Sequence, residues 1–238
     1  MGQFVIYKDG QPLRFSRKAQ KKPLELLQAL IAAGAKGIRD EELADALWPE
    51  TDGDAALQSL RTTLHRLRNL AGREDAVKVR EGRVSLDDRL CWIDAWAFER
   101  LLGEVDGCDS RAAVPLLEKA VGLYQGYFMG REMEEPWLMA AGERLRSKFL
   151  RGVEKLGSFW SQGGEWEKAR ECYQKGLEVD GLAEELCQGA MVCCRNLDLK
   201  AEALSLYKSF EKRLKKELDI APAAKTRAIR DSLLGKAV

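Results

Sequence analysis

The sequence predicts a mainly α-helical protein in two parts: a small helix-turn-helix module framed by β-hairpins, then a stack of paired helices. Three observations predict it. Residues 52–72 carry Leu57, Leu60, Leu64 and Leu67 at i, i+3, i+4 spacing, so one side of a long helix is apolar. Short strand-like stretches joined by Asp9-Gly10 and Glu81-Gly82 stand near the two ends of the first 94 residues. From Asp94 onward the apolar spacing is helical almost without interruption, and part of it recurs 34 residues later.

Composition sets the frame. A chain of 238 residues, 45% apolar and 32% charged, suits one or two globular domains and is too apolar for disorder. The formal net charge is +1, so any field that attracts nucleic acid must be local. The charges are segregated. Arg14, Arg17, Lys18, Lys21 and Lys22 run without an acid, and residues 40–54 hold acids without a base. Six cysteines lack C-x-x-C spacing and His65 is the single histidine, which argues against a metal site and for buried, reduced thiols. No charged region followed by an apolar core opens the chain, and the longest apolar run, residues 29–35, is far short of a membrane span. The reading is a soluble cytoplasmic protein with no membrane partner and no cofactor.

Residues 4–7 and 13–15, joined through Lys8-Asp9-Gly10, read as a β-hairpin. Residues 23–33 follow as a helix on Leu24, Leu27, Leu30 and Ile31, ended by Gly34. Asp40 is placed as the cap of a short helix over residues 41–48, with Leu43, Ala44 and Leu47 inward and Trp48-Pro49 as its stop. A turn through residues 51–53 leads into the long helix. Its outward side carries Ala55, Gln58, Ser59, Thr62, His65, Arg66 and Asn69, flanked by Arg61 and Arg68, and no acid occurs from Ala55 to Arg73. Short amides and hydroxyls reach base edges in a major groove, and guanidinium groups at its walls hold phosphates. A solvated amphipathic helix with only basic charges would show the same pattern. Residues 76–80 and 83–86 form a second hairpin with Lys78, Arg80 and Arg83 near its tip. A hairpin directly after such a helix is a wing, and its bases suit phosphates or a minor groove.

The second part begins with Trp96, Phe98, Leu101 and Leu102, then Ala113, Leu117 and Ala120, then Tyr124 and Tyr127. A long helix spans roughly residues 136–162. Leu156-Gly157, Trp160, Gly164, Ala169 and Tyr173 fit tetratricopeptide spacing, and 34 residues on, Ala203 and Tyr207 repeat the Ala169 and Tyr173 pair. Asp180 and Cys194 depart from the consensus, so the match is loose. Residues 200–218 and 223–234 complete the helices, the last as a cap.

On these residues the chain resembles a known family. Residues 1–94, through the first hairpin, Glu41–Pro49 (EELADALWP) and Leu64–Arg68 (LHRLR), resemble the winged helix-turn-helix output domains of bacterial response regulators. Residues 95–238, through the stretches 124–145 and 201–222, are similar to the bacterial transcriptional activation domain of SARP-type regulators. The resemblance implies binding to double-stranded promoter DNA, commonly by two copies on direct repeats, and recruitment of RNA polymerase. By position it implies Gln58, Ser59, Thr62, Thr63 and Arg66 in the groove, Arg61 and Arg68 along the backbone, and Arg83 in the wing. It also implies an indole contact from Trp48 to a phosphate, although a ring after a helix equally packs. His65 departs from the family, where arginine is common; a core or solvent role fits it as well. With no receiver domain and no G-x-x-x-x-G-K-[ST] loop, the sequence reads as a minimal regulator or as the C-terminal output part of a larger signal-responsive one.

The competing reading is a helical-repeat scaffold whose winged helix contacts protein. Salt separates the two, because phosphate contacts make affinity fall steeply with salt and an apolar interface does not. No nucleophile triad, metal cluster or phosphate loop points to an enzyme, and Glu134-Glu135 and Glu184-Glu185 read as solvated faces.

Overall fold

The computed structural model describes residues 1–13, 21–107, 110–130 and 135–235. The chain forms two compact units, each assembled from two segments: Met1–Arg100 with Leu123–Leu145, and Leu101–Gly122 with Arg146–Val238. Residues 1–94 thus fall wholly in the first unit, joined there by 123–145.

The first unit opens with β1 (Tyr7–Lys8) and β2 (Gln11–Pro12), paired antiparallel with Tyr7 opposite Pro12. Asp9 and Gly10 both take positive φ, 50° and 78°, as the two-residue I′ turn requires. That turn places Lys8 in the strand rather than in the loop. Leu13 N–H donates to the Ile6 carbonyl at 2.8 Å and continues the ladder, while Phe15 of the expected hairpin and the bases Arg14, Arg17 and Lys18 lie outside the described residues.

Helix α1 (Lys21–Ala33) buries Leu26, Ala29 and Leu30, and Gly34 at φ 86° ends it. Strand β3 (Ile38–Arg39), helix α2 (Asp40–Leu47) and helix α3 (Gly53–Ala71) follow, then a 3-10 turn, Glu74–Ala76. Strands β4 (Val77–Arg80) and β5 (Arg83–Leu86) close the wing through Glu81 and Gly82, both at positive φ. The sheet order is β3-β5-β4, all antiparallel. Two residues are too few to show alternation, so β3 has no sequence signal of its own. Gly37 makes it possible: its φ is 70°, and a Cβ there would run into the Val84 carbonyl.

Asp40 does not cap α2 as expected. It is the first helical residue, Arg39 holds the cap position without a side-chain bond, and among the described residues the Asp40 carboxylate accepts only the Glu41 N–H, at 3.1 Å. The wing sets this start, because Asp40 N–H donates to the Gly82 carbonyl at 2.9 Å. Trp48 is the cap at the other end.

The core of this unit comes from one face of each element: Leu26 and Leu30, Leu43 and Leu47, Leu60, Leu64 and Leu67, Val84 and Leu86. Each such side chain contributes about 1.5–3 kcal/mol on burial. Helix α4 (Asp94–Val105) starts here, where the Trp96 indole N–H donates to the Ile31 carbonyl at 2.9 Å and Phe98 is fully buried. The segment after Leu123 is tied to the first residue by Gln125 N–H on the Met1 carbonyl, and Arg144 donates to the Ala32 carbonyl at 3.1 Å.

The second unit is helical throughout its described residues. Helix α5 (Ser110–Leu123) and the later part of α6 (Pro136–Gln162) precede α7 (Trp166–Val179), α8 (Glu184–Asn196), α9 (Lys200–Glu217) and α10 (Ala224–Leu233). Helices α7 and α8, and α8 and α9, pack as neighbours, and α10 covers α8 and α9. The repeat has a physical basis. Ala169 and Ala203 are fully buried, and Tyr173 and Tyr207, four residues on in each helix, are buried with them. Cys172, Cys187, Cys193 and Cys194 are buried free thiols, and burial pushes Cys172 and Cys187 up to about 12. Cys108 lies outside the described residues.

Candidate nucleic-acid interface

Helix α3 turns Ala56, Leu60, Leu64 and Leu67 inward, packed on α1 and α2. Gly72 ends it in the left-handed conformation at φ 69°, its N–H shared between the Arg68 and Asn69 carbonyls. Ala55, Gln58, Arg61, Thr62, His65, Arg66 and Asn69 are exposed on the other side, and Ser59 is half-buried. Thr62 Oγ1 donates to the Gln58 carbonyl at 3.1 Å, and Asn69 Nδ2 lies 3.1 Å from His65 Nε2. Arg61 and Arg66 make no ion pair or hydrogen bond among the described residues.

Thr63 has no place among the base readers. It is 4% exposed, and its hydroxyl donates to the Ser59 carbonyl at 2.8 Å inside the module. A 100° step beyond Thr62 carries it to the packed side. Thr63→Val is therefore expected to leave duplex affinity unchanged in a binding titration, while losing about 1 kcal/mol of stability with that hydrogen bond.

Arg68 is likewise used within the fold. Its Nε and Nη2 both donate to the Val77 carbonyl, at 3.2 and 2.9 Å, and tie the end of α3 to β4. Lys78 is half-buried and ion-paired with Asp87 rather than presented at the wing tip. Lys78 thus has its charge answered inside the chain by Asp87, while Arg68 spends two of its N–H donors on a backbone carbonyl.

Asp87 is the hub of that corner. It is 3% exposed and accepts from Arg89 Nε at 3.2 Å, from Arg89 Nη2 at 3.0 Å and from the Arg89 N–H at 3.1 Å, besides the Lys78 ammonium. The hydrogen bonds from Arg89 and then Lys78 hold its carboxyl well below the usual carboxylate range. A depressed folded value means that the stabilisation is complete above the unfolded pKa, about 3.9, and disappears as pH falls below it. Asp87→Asn is expected to destabilise the wing at pH 7, with the difference from wild type narrowing below about pH 4 in acid titrations followed by circular dichroism. A difference that stays constant through that window would contradict the ion-pair account.

The wing presents a different set from the one its sequence suggested. Arg39 lies opposite Arg83 across β3 and β5, and Arg80 lies opposite Arg83 across β4 and β5. Three exposed arginines thus stand in one row across the sheet. Like charges directly opposite on neighbouring strands repel, and an anion over the row relieves that repulsion. Arg83 Nη2 donates to the Gly37 carbonyl at 2.8 Å, which orients it; Arg80 makes no such bond among the described residues. Arg39 went unrecognised because nothing in two residues marked β3 as a strand.

Trp48 is half-buried, with the Lys22 ammonium 5.4 Å from its ring centre. Lys22 also donates to the Leu47 carbonyl at 2.9 Å and pairs with Glu25 at 2.8 Å, so this corner is closed by internal contacts. Among the described residues no group of three or more His, Cys, Asp or Glu side chains is placed to hold a metal, and no helix is long and apolar enough to cross a membrane.

The chain thus holds a three-helix module with a winged sheet and a set of packed helical hairpins. The family model described as "Bacterial transcriptional activator domain" matches residues 93–234, and the chain belongs to this family as a SARP-type transcriptional regulator. Among its relatives, the regulatory protein AfsR of Streptomyces griseus is 26% identical over 231 residues, covering 94% of this chain and 23% of AfsR. The transcriptional regulator RedD of Streptomyces coelicolor is 26% identical over 212 residues, covering 84% of this chain and 60% of RedD. The chain therefore spans about a quarter of one relative and three fifths of the other. Mycobacterium tuberculosis EmbR, solved in complex with a low-affinity phosphopeptide, shares the fold over 100% of this chain and 64% of its own, with a TM-score of 0.73 and 17% identity.

Proposed function

We propose that this regulator binds promoter DNA in a sequence-specific way and activates transcription by contacting RNA polymerase. Helix α3 enters the major groove with Gln58, Ser59, Thr62 and Arg66 toward the bases and Arg61 at the groove wall. The arginine row of the wing, Arg39, Arg83 and Arg80, meets phosphates. Two copies act on direct repeats, and the chain serves as the output part of a signal-responsive regulator in the cytoplasm. The observation that carries this reading is the exposed, acid-free side of α3, on which Arg61 and Arg66 have no partner among the described residues. A helix with this side turned to solvent and no charge to answer it suits an anionic groove.

The test compares binding to the DNA upstream of the protein's own gene with binding to a random duplex at two salt concentrations. Affinity that falls steeply with salt, and is higher for the upstream fragment, supports the reading. No binding to either duplex at low salt would shift the winged module to protein contacts.

A further inference from the structure

We infer that the outward side of α9, in the helical-repeat unit, is a second docking surface for the phosphate backbone of duplex DNA. Ala203, Tyr207, Phe210 and Leu214 define the buried side of this helix. At 100° per residue Ser205, Lys208, Ser209, Lys212 and Lys216 fall on the opposite side, and all five are exposed. No acid lies among them.

Three of the four acids of this helix and its exit are engaged, and the fourth, Glu217, lies at its last residue, away from the side that carries the lysines. Glu202 accepts from Arg170 Nη1 at 2.7 Å and from Gln174 Nε2 at 3.1 Å, both on α7. Glu211 accepts the Tyr207 hydroxyl at 2.9 Å, and Asp219 is ion-paired with Lys215. Lys208, Lys212 and Lys216 have no ion pair or hydrogen bond among the described residues. Elsewhere in the same unit lysines do find acids: Lys155 bonds Asp106 at 3.0 Å and Lys168 bonds Glu165 at 3.2 Å. Glu202 and Asp219 thus meet bases other than Lys208, Lys212 and Lys216, and these three stand as a ladder of ammonium groups.

The ladder has the dimensions of a polyanion contact. Successive lysines four residues apart rise about 6 Å. A DNA strand carries a charge about every 3.4 Å of duplex axis, so each rung finds a phosphate in any register. Ser209 lies between the first two rungs and Ser205 just before them, where short hydroxyls donate to phosphate oxygens. Ammonium groups on flexible stems, without a planar or apolar reader among them, hold backbone rather than bases. The surface is therefore indifferent to sequence and adds affinity to whatever specificity α3 supplies; this addition rests on the DNA-binding reading above.

The test uses the full chain and its Lys208→Ala/Lys212→Ala/Lys216→Ala and Arg66→Ala variants, on upstream and random duplexes across a salt series. The triple variant is expected to weaken on both duplexes alike, with its preference for the upstream fragment intact. Its log–log salt slope should be shallower by about 3, close to one unit for each phosphate left without its lysine. The triple Lys→Arg variant should keep the wild-type slope. A triple alanine variant with the wild-type slope overturns the ladder and leaves the α3 reading standing. If retention on immobilised poly-glutamate is also lost, the ladder belongs to an acidic protein surface instead. Binding with no preference between duplexes, but flattened by the triple variant, sinks the α3 reading and keeps the ladder.

Discussion

Truncating Tyr173 to alanine is expected to cost the helical-repeat unit about 3–5 kcal/mol, the range for a buried aromatic ring. The ring is held between two glycines on different helices. A Cβ at Gly157 on α6 would stand 2.5 Å from one ring carbon, and a Cβ at Gly189 on α8 would stand 2.6 Å from another. No rotation of a ring packed on both sides relieves such contacts, so Gly157→Ala alone is expected to cost about 1–3 kcal/mol through overpacking. The two substitutions share one volume. In the double variant Tyr173→Ala/Gly157→Ala the added methyl has the vacated space to enter, and the loss should fall well below the sum of the single losses. Urea unfolding of the four proteins reads this directly from the midpoints. Strict additivity would show that the ring does not use the space that Gly157 leaves.

The second large effect is on recognition. Arg66→Ala is expected to lower affinity for the preferred duplex by about 1–3 kcal/mol and to relax the choice of base at one position. Arg61→Ala should behave differently. As a phosphate contact it weakens binding to every duplex alike and reduces the salt slope by about 1. Both side chains are exposed and make no bond among the described residues, so neither loss should disturb the fold. Equal effects of Arg66→Ala on preferred and random duplexes would remove Arg66 from the readers and place it beside Arg61.

The helical part was legible because its signals are long. Twenty-seven residues of α6 and the 34-residue return of Ala169 and Tyr173 at Ala203 and Tyr207 each repeat one packing rule several times. The same holds for α3, whose leucines declared its buried side. Short elements were not legible. Strand β3 is two residues long and depends on Gly37 meeting Val84, a contact between residues far apart in the chain. With nothing local to mark that strand, Arg39 stayed hidden and with it the arginine row.

Charge was the other limit. Sequence counts a lysine or arginine as available, whereas Arg68 and Lys78 are engaged by Val77 and Asp87, partners that only folding brings near. Thr63 failed for a simpler reason. One helical step separates an exposed position from a buried one, and a threonine is at home on either.

The measurement that bears most directly on groove binding is dimethyl sulfate protection of guanine N7 on the upstream duplex, with wild-type protein and with Arg66→Ala. Guanine N7 lies on the floor of the major groove, where α3 is proposed to sit. A short cluster of protected guanines is expected, with at least one released by Arg66→Ala while the others persist. Bound protein that protects no guanine N7, or protection identical in the two proteins, would contradict the placement of α3 in the groove.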